Sequence, residues 1–339
     1  MPKELFILGA GFSRAITPVM PVLNGLTREI KQKMDALPDR DLKKFWDDLI
    51  ITPNIGDING ENANFEDIMT FLSSKFVYED YKESGLKAIL YQKVVELIRT
   101  IFIDKNIEKE IEEGKNEWTQ FVDHLFKTKA HIFSFNYDLV FENLLRVYHN
   151  PKSSPADFDH FYSIPKQEHG GYIDIYDSED RLTIYKLHGS INWFYNKNSY
   201  GIQVKNPLSP KAHFLGLTPL IVPPTILKNF DNTTNILDAQ WHQFKMDLET
   251  AERVYIIGYS IPETDIATRF LLQTHLKKSA SIHIISHKPT SVQKEDWKKL
   301  FSPNEPRGRV LFKPKGEKVS IFEAGFSAYC QEHPWKYNP

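Results

Sequence analysis

The sequence predicts an α/β fold: a parallel β-sheet with helices on both faces, plus an inserted all-α helical module. Three observations predict it. Several short runs are apolar throughout, as strands covered on both faces require. Each run ends in glycine or polar residues, and helices or long connections separate the runs, the pattern of a parallel sheet. Residues from about Leu26 to Phe126, by contrast, carry helical periodicity and almost no strand signal.

Residues 5–8, four apolar side chains closed by Gly9, read as the first strand. Pro18, Pro21 and Gly25 break up the segment that follows. Residues 51–62, rich in Gly, Pro, Asn and Asp, read as a loop, and Asn64 as the N-cap of a helix with Asp67 at its third position. Leu86, Ile89, Leu90, Val94, Leu97, Ile98 and Ile101 recur at spacings of three and four and predict an amphipathic helix facing a core. A strand is expected at 131–135, a helix at 138–148, and turn-rich, irregular chain at 150–180. Further strands are expected at 183–187, 254–257 and 281–285, with a helix from beyond Gly258 to about Leu276. The C-terminal 50 residues carry nothing distinctive. The expected division is a sheet domain of residues 1–27 and 127–339 with a helical module at 28–126.

Composition narrows the function classes. Lys and Arg number 42 against 44 Asp and Glu, so net charge is near zero, and no basic run supports direct nucleic-acid binding. A single cysteine, Cys330, excludes a disulfide framework and any zinc site built on Cys-x-x-Cys pairs; a buried structural thiol is expected there. No apolar run reaches membrane-spanning length and no signal peptide opens the chain, so a cytoplasmic location without membrane contact is expected.

The chemistry-bearing residues cluster at strand ends. Gly9-Ala10-Gly11-Phe12-Ser13-Arg14 is a partial dinucleotide fingerprint, with Arg14 where a third glycine would stand. It reads either as a loop whose amides a pyrophosphate can approach or as a tight strand-to-helix turn. Arg14 is suited to pair with a phosphate or a carboxylate. Asn136, two residues before Asp138, can hold a ribose hydroxyl or position a water; Asp138 can do the same or cap the next helix. His188 at a strand end, followed by Gly189, suits proton transfer near neutrality. Gly258 and Ser260 can meet phosphate, while Ser260 and Glu263 can also form a capping box, and Asp265 reads as a first-turn carboxylate. Ser286 and His287 close another strand. In an open α/β sheet ligands bind beyond the carboxyl ends of the strands, so these segments converge on one crevice.

Taken together and in order, these motifs resemble the SIR2 superfamily, over residues 5–290. Gly9-Ala10-Gly11-Phe12-Ser13 is similar to the sirtuin Gly-Ala-Gly-x-Ser, Phe135-Asn136-Tyr137-Asp138 to Gln-Asn-Ile-Asp, and His188-Gly189 to the catalytic His-Gly. Gly258-Tyr259-Ser260 stands where sirtuins have Gly-Thr-Ser, and Ser286-His287 where an Asn meets the adenosine ribose. The four-cysteine zinc ribbon and Ile-Pro-Asp-Phe-Arg are absent, and the helical block lies between the first two motifs. That combination resembles the bacterial SIR2-like branch associated with antiphage defence.

The resemblance implies a Rossmann-like NAD-binding catalytic domain that hydrolyses NAD+ to nicotinamide and ADP-ribose, using NAD+ as substrate and no metal. It implies Asn136 and His188 as catalytic residues. Gly9, Ala10, Gly11, Phe12, Ser13 and Arg14 would bind the dinucleotide, as would Asp138, Gly258, Ser260, Ser286 and His287. It further implies a homo-oligomer, or a partner such as a HerA-type ATPase or a separate phage sensor, keeping an abortive-infection effector silent. Two other readings stay open: a non-catalytic module binding NAD+ or ADP-ribose, and an NAD-dependent protein deacylase.

Overall fold

The computed structural model describes residues 4–51, 65–74, 80–105, 107–113, 115–149, 161–164, 166–168, 171–173, 181–195, 202–204, 218–222, 234–301, 319–333 and 335. The expected loop at 51–62, beyond Ile51 itself, and the expected cap Asn64 lie outside them.

Six parallel strands form the central sheet: β1 (Glu4–Leu8), β2 (His131–Ser134), β5 (Thr183–Lys186), β9 (Arg253–Ile257), β10 (Ser281–Ile285) and β11 (Val319–Phe322). Their order is β11-β10-β9-β1-β2-β5. The chain runs outward from β1 to β2 and β5, then returns to β9 on the other side of β1 and runs outward again. The strand order therefore reverses between β1 and β9, the place where open α/β sheets hold ligands.

The alternation of each strand supplies two cores. Phe6 and Leu8 face one side and Leu5 and Ile7 the other, all four fully buried. The second side is covered by α9 (Thr234–Thr250), α10 (Ile266–Thr274) and α11 (Ser291–Phe301), through Phe244, Leu272 and Trp297. The first side carries α1 (Ala10–Ile16), α8 (Val140–His149) and α12 (Phe326–Glu332). Onto the same side pack α2 (Leu23–Asp35), α3 (Arg40–Ile50), α4 (Phe65–Ser73), α5 (Tyr81–Ile103), α6 (Ile107–Glu113) and α7 (Lys115–Thr128). Ile30, Trp46, Met69, Leu90, Ile98 and Phe121 from these helices share one apolar cluster with Phe6 and Phe12. The helical block is thus packed on the sheet. Local signals start its helices: Asp39 accepts from the Asp41 and Leu42 amides at 3.0 Å, and Asp80 from the Glu83 amide at 2.8 Å.

The structure corrects several details. Ile89, expected on the buried face of α5, is 51% exposed, whereas Leu90, Val94, Ile98 and Ile101 are buried as expected. Cys330 is only partly buried, on α12, where Trp335 donates to its sulfur and burial pushes its thiol up to about 12. A second, five-stranded sheet was not foreseen. It comprises β3 (Lys166–Glu168), β4 (Gly171–Ile173), β6 (Gly189–Tyr195), β7 (Ile202–Val204) and β8 (Thr218–Ile221), in the order β4-β3-β7-β6-β8. Its β3 and β4 fall in the stretch expected to be irregular. The C-terminal residues, expected to be plain, supply β11 and α12, and Phe326 stacks on Trp118 at 5.2 Å.

Candidate active site

A cavity of about 990 Å³ opens at the carboxyl ends of the central strands. That is at the upper end of the roughly 300–1,000 Å³ typical of ligand clefts. It sits over the β1/β9 switch point, and a crossing of two backbones makes its floor. The Gly11 amide donates to the Gly258 carbonyl at 2.8 Å, and the Gly9 amide to the Ile257 carbonyl at 3.0 Å. A Cβ on Gly9 would lie 2.5 Å from the Tyr259 Cα. Gly258, at φ +63°, has room for none, since its Cβ would lie 2.0 Å from the Phe12 nitrogen. The glycines are therefore needed by this crossing whatever the ligand, and the Gly9, Gly11 and Phe12 amides are already spent inside the protein.

Asn136 follows β2 and is 8% exposed, facing the cavity. Its Nδ2 donates to the Gly9 carbonyl and to Ser13 Oγ, both at 2.9 Å. A carbonyl can only accept, so the amide orientation is fixed and Oδ1 is the atom left for a ligand. Ser13 Oγ in turn donates to Asp138 Oδ1 at 2.9 Å. Asp138 also accepts from the Val140 amide at 3.0 Å, the helix-start role expected as one of its two readings. Burial lifts the Asp138 carboxyl above its ordinary range, while the Lys186 charge and the Val140 and Ser13 donors pull it back. Lys186 lies directly beneath: its Nζ donates to the Asp138 carbonyl at 2.6 Å and to Glu142 Oε1 at 3.0 Å. The Lys186 and Glu142 side chains are each 1% exposed.

His188 stands at the corner where the chain leaves the first sheet for the second. Only Leu187 and His188 separate β5 from β6. Gly189 turns that corner at φ +76°, with a Cβ position 2.1 Å from the Leu220 carbonyl oxygen. The Val222 amide donates to the His188 carbonyl at 2.9 Å and Trp241 Nε1 to the Leu187 carbonyl at 3.1 Å, so the corner is held from both sides. The imidazole meets the Phe135 ring edge-on at 5.0 Å.

Of the residues expected to bind a dinucleotide, Gly9, Ala10, Gly11, Arg14, Asp138, Gly258, Ser260, Ser286 and His287 line this one cavity with Asn136 and His188. Two do not. Phe12 is fully buried in the core against Phe121, Phe141 and Phe326, and Ser13, 1% exposed, spends its hydroxyl on Asp138 and Asn136. The expected Ser260–Glu263 capping box is also corrected, because α10 begins only at Ile266. Asp265 holds the N-cap position and accepts from the Tyr259 hydroxyl. Arg14 is exposed on the cavity and makes no hydrogen bond or ion pair among the described residues.

Other residues went unrecognised. Phe135 and Tyr259 stack at 4.3 Å across the crevice, each beside a residue already singled out, and that adjacency was the available signal. Tyr137 donates to the Val222 carbonyl at 2.6 Å. Glu66 and Phe102 reach the cavity from α4 and α5, and Gly325 and Ser327 from the C-terminal segment. Nothing local in the sequence marks these four. Among the described residues no group of three or more His, Cys, Asp or Glu side chains is placed to hold a metal, and no helix is long and apolar enough to cross a membrane.

No protein-family model matches the chain, and no curated protein sequence matches it. Among solved structures it is similar to one from a study of the mechanism and regulation of Sir2 enzymes. That alignment covers 96% of this chain and 89% of the other, with 9% identity and a TM-score of 0.35.

Proposed function

We propose that the protein is an NAD+ glycohydrolase of the SIR2-like kind, cleaving NAD+ to nicotinamide and ADP-ribose. One observation carries the reading: the Asn136 amide is pinned with its acceptor oxygen free, in the same cavity as His188. The bond to break joins the cationic nicotinamide ring to ribose. Nicotinamide leaves with the bonding electrons, and water adds to the oxocarbenium-like carbon. The water's second proton goes to solvent. The protein's task is to orient the ribose, hold one water and exclude the rest. Asn136 Oδ1 accepts from that water or a ribose hydroxyl. His188 bonds the ribose hydroxyls and assists deprotonation. Since Ser13 and the glycine amides are committed elsewhere, the diphosphate falls to Arg14, with Ser260 and Ser286 on the cavity wall.

Beyond the site, the reading includes residues 28–126 as a helical module inserted into a catalytic domain of 1–27 and 127–339. A hydrolase that empties a cell of NAD+ has to be silent until needed. The sequence resemblance supports an antiphage effector controlled by self-association, by a HerA-type ATPase or by a separate phage sensor. Chromatography of NAD+ incubated with the protein, over a range of protein concentrations, tests the activity. Nicotinamide and ADP-ribose are expected to accumulate, and Asn136→Ala and His188→Ala to lower turnover at least about a hundredfold with the fold intact. Variants that consume NAD+ at the parental rate would sink the assignment. Binding without products at any concentration would favour a sensing module.

A further inference from the structure

Gln293 lines the cavity from the first turn of α11, and its side chain is anchored by one end. The Thr290 amide donates to Gln293 Oε1 at 2.9 Å, and the Gln293 amide donates to the Thr290 hydroxyl at 3.1 Å, a reciprocal cap on the helix. An N–H can only donate, so the atom held by Thr290 is the oxygen. Oε1 keeps one lone pair. Nε2 keeps both its protons and makes no hydrogen bond among the described residues, so the larger unspent capacity is for donation.

The sheet order says which part of a ligand meets this residue. Asn136 follows β2 and α11 follows β10, three strands apart in the order β10-β9-β1-β2, or roughly 14 Å at the spacing of paired strands. The switch point lies between them. Around Gln293 the wall is built by Ser286 and His287 after β10 and by Ala324 and Gly325 after β11. Lys294 bonds Glu323 at 3.0 Å, which ties the start of α11 to that wall. With the reacting ribose at Asn136 and the diphosphate over the switch point, the second nucleoside of NAD+ reaches this far wall.

We propose that Gln293 is a specificity-determining residue for the adenosine end of the dinucleotide, its Nε2 donating to a ribose oxygen or a ring nitrogen of that nucleoside. The proposal rests on the NAD+ reading for the identity of the ligand. Two variants separate the donor from the cap and from charge. Gln293→Glu keeps an oxygen for the Thr290 amide but loses the donor and adds a charge. Gln293→Met loses the donor and the cap but stays neutral.

Calorimetry with adenosine 5′-monophosphate and with nicotinamide mononucleotide reads the two ends separately. Affinity for the adenosine ligand is expected to fall about fivefold or more in both variants, and that for the nicotinamide ligand to stay within about twofold. In turnover, KM for NAD+ should rise by the same factor with kcat within about threefold, so the preference for NAD+ over the mononucleotide shrinks. Weakening in Gln293→Glu alone would make the effect one of charge and overturn the proposal. So would equal weakening of both ligands, or an affinity for the adenosine ligand equal in parent and variants, including none in any of them. If the adenosine ligand binds through Gln293 while the parent releases no nicotinamide, the subsite stands and the hydrolase reading falls.

Discussion

Arg14 and Ser13 are adjacent in the sequence and opposite in fate. One helical step turns Ser13 into the interior and leaves Arg14 exposed on the cavity. The sequence identified both as polar residues beside a glycine turn, and that much was legible. The direction of a hydroxyl was not, because it depends on Asp138 and Asn136, more than a hundred residues away. Arg14 carries the first prediction. It has no other partner among the described residues, so Arg14→Gln should leave thermal stability unchanged while weakening ADP-ribose binding about tenfold or more, as loss of a charge-assisted hydrogen bond does. Isothermal calorimetry with ADP-ribose measures it, and unchanged affinity would place the diphosphate elsewhere.

At the scale of elements, β1, β2, β5, β9 and β10 were legible because parallel strands buried on both faces are apolar and stop at glycine or polar residues, whereas the half-exposed edge strand β11 was not. Residues 281–285 match β10 residue for residue. The second sheet was not legible. Its β3, β4 and β7 have three residues each, and its pairings join segments that are individually too short to show a period. Yet this sheet grips the His188 corner, through β8 against Gly189. Gly189→Ala should therefore fail in two ways. Its φ of +76° and the 2.1 Å approach to Leu220 predict a loss of about 2 kcal/mol or more of stability. The residual folded protein should turn NAD+ over poorly, because His188 shifts with the corner. Urea melts and initial rates, read together, separate the two effects. Full stability with full activity would contradict the corner as described.

At the scale of the molecule, the two ends of the sheet carry different electrostatics. The carboxyl ends hold the cavity. At the amino end of β1, Glu4 is buried between His124 and Arg253, and these partners outweigh the upward push of burial to hold its carboxyl below the usual range. A carboxyl depressed by folding contributes stability above its unfolded value, about 4.3, and that contribution disappears as pH falls through the lower folded value. Urea midpoints should thus drop as pH falls below about 4, and Glu4→Gln should be less stable at neutral pH with a shallower acid slope. An acid slope identical in the two proteins would remove Glu4 from the account. The long-range pairing of β1 with β9 that sets this cluster is likewise invisible locally: Glu4 and Arg253 are 249 positions apart.

The crossing of Gly9, Gly11 and Gly258 has a consequence for how lineages of this fold diverge. Any missense change at these codons adds a Cβ where two backbones already touch. A descendant that lost Asn136 or His188 would still need the glycines for this crossing to close. In related chains the glycine signature thus records the fold, while the pinned amide and the corner histidine are the residues on which the proposed chemistry depends.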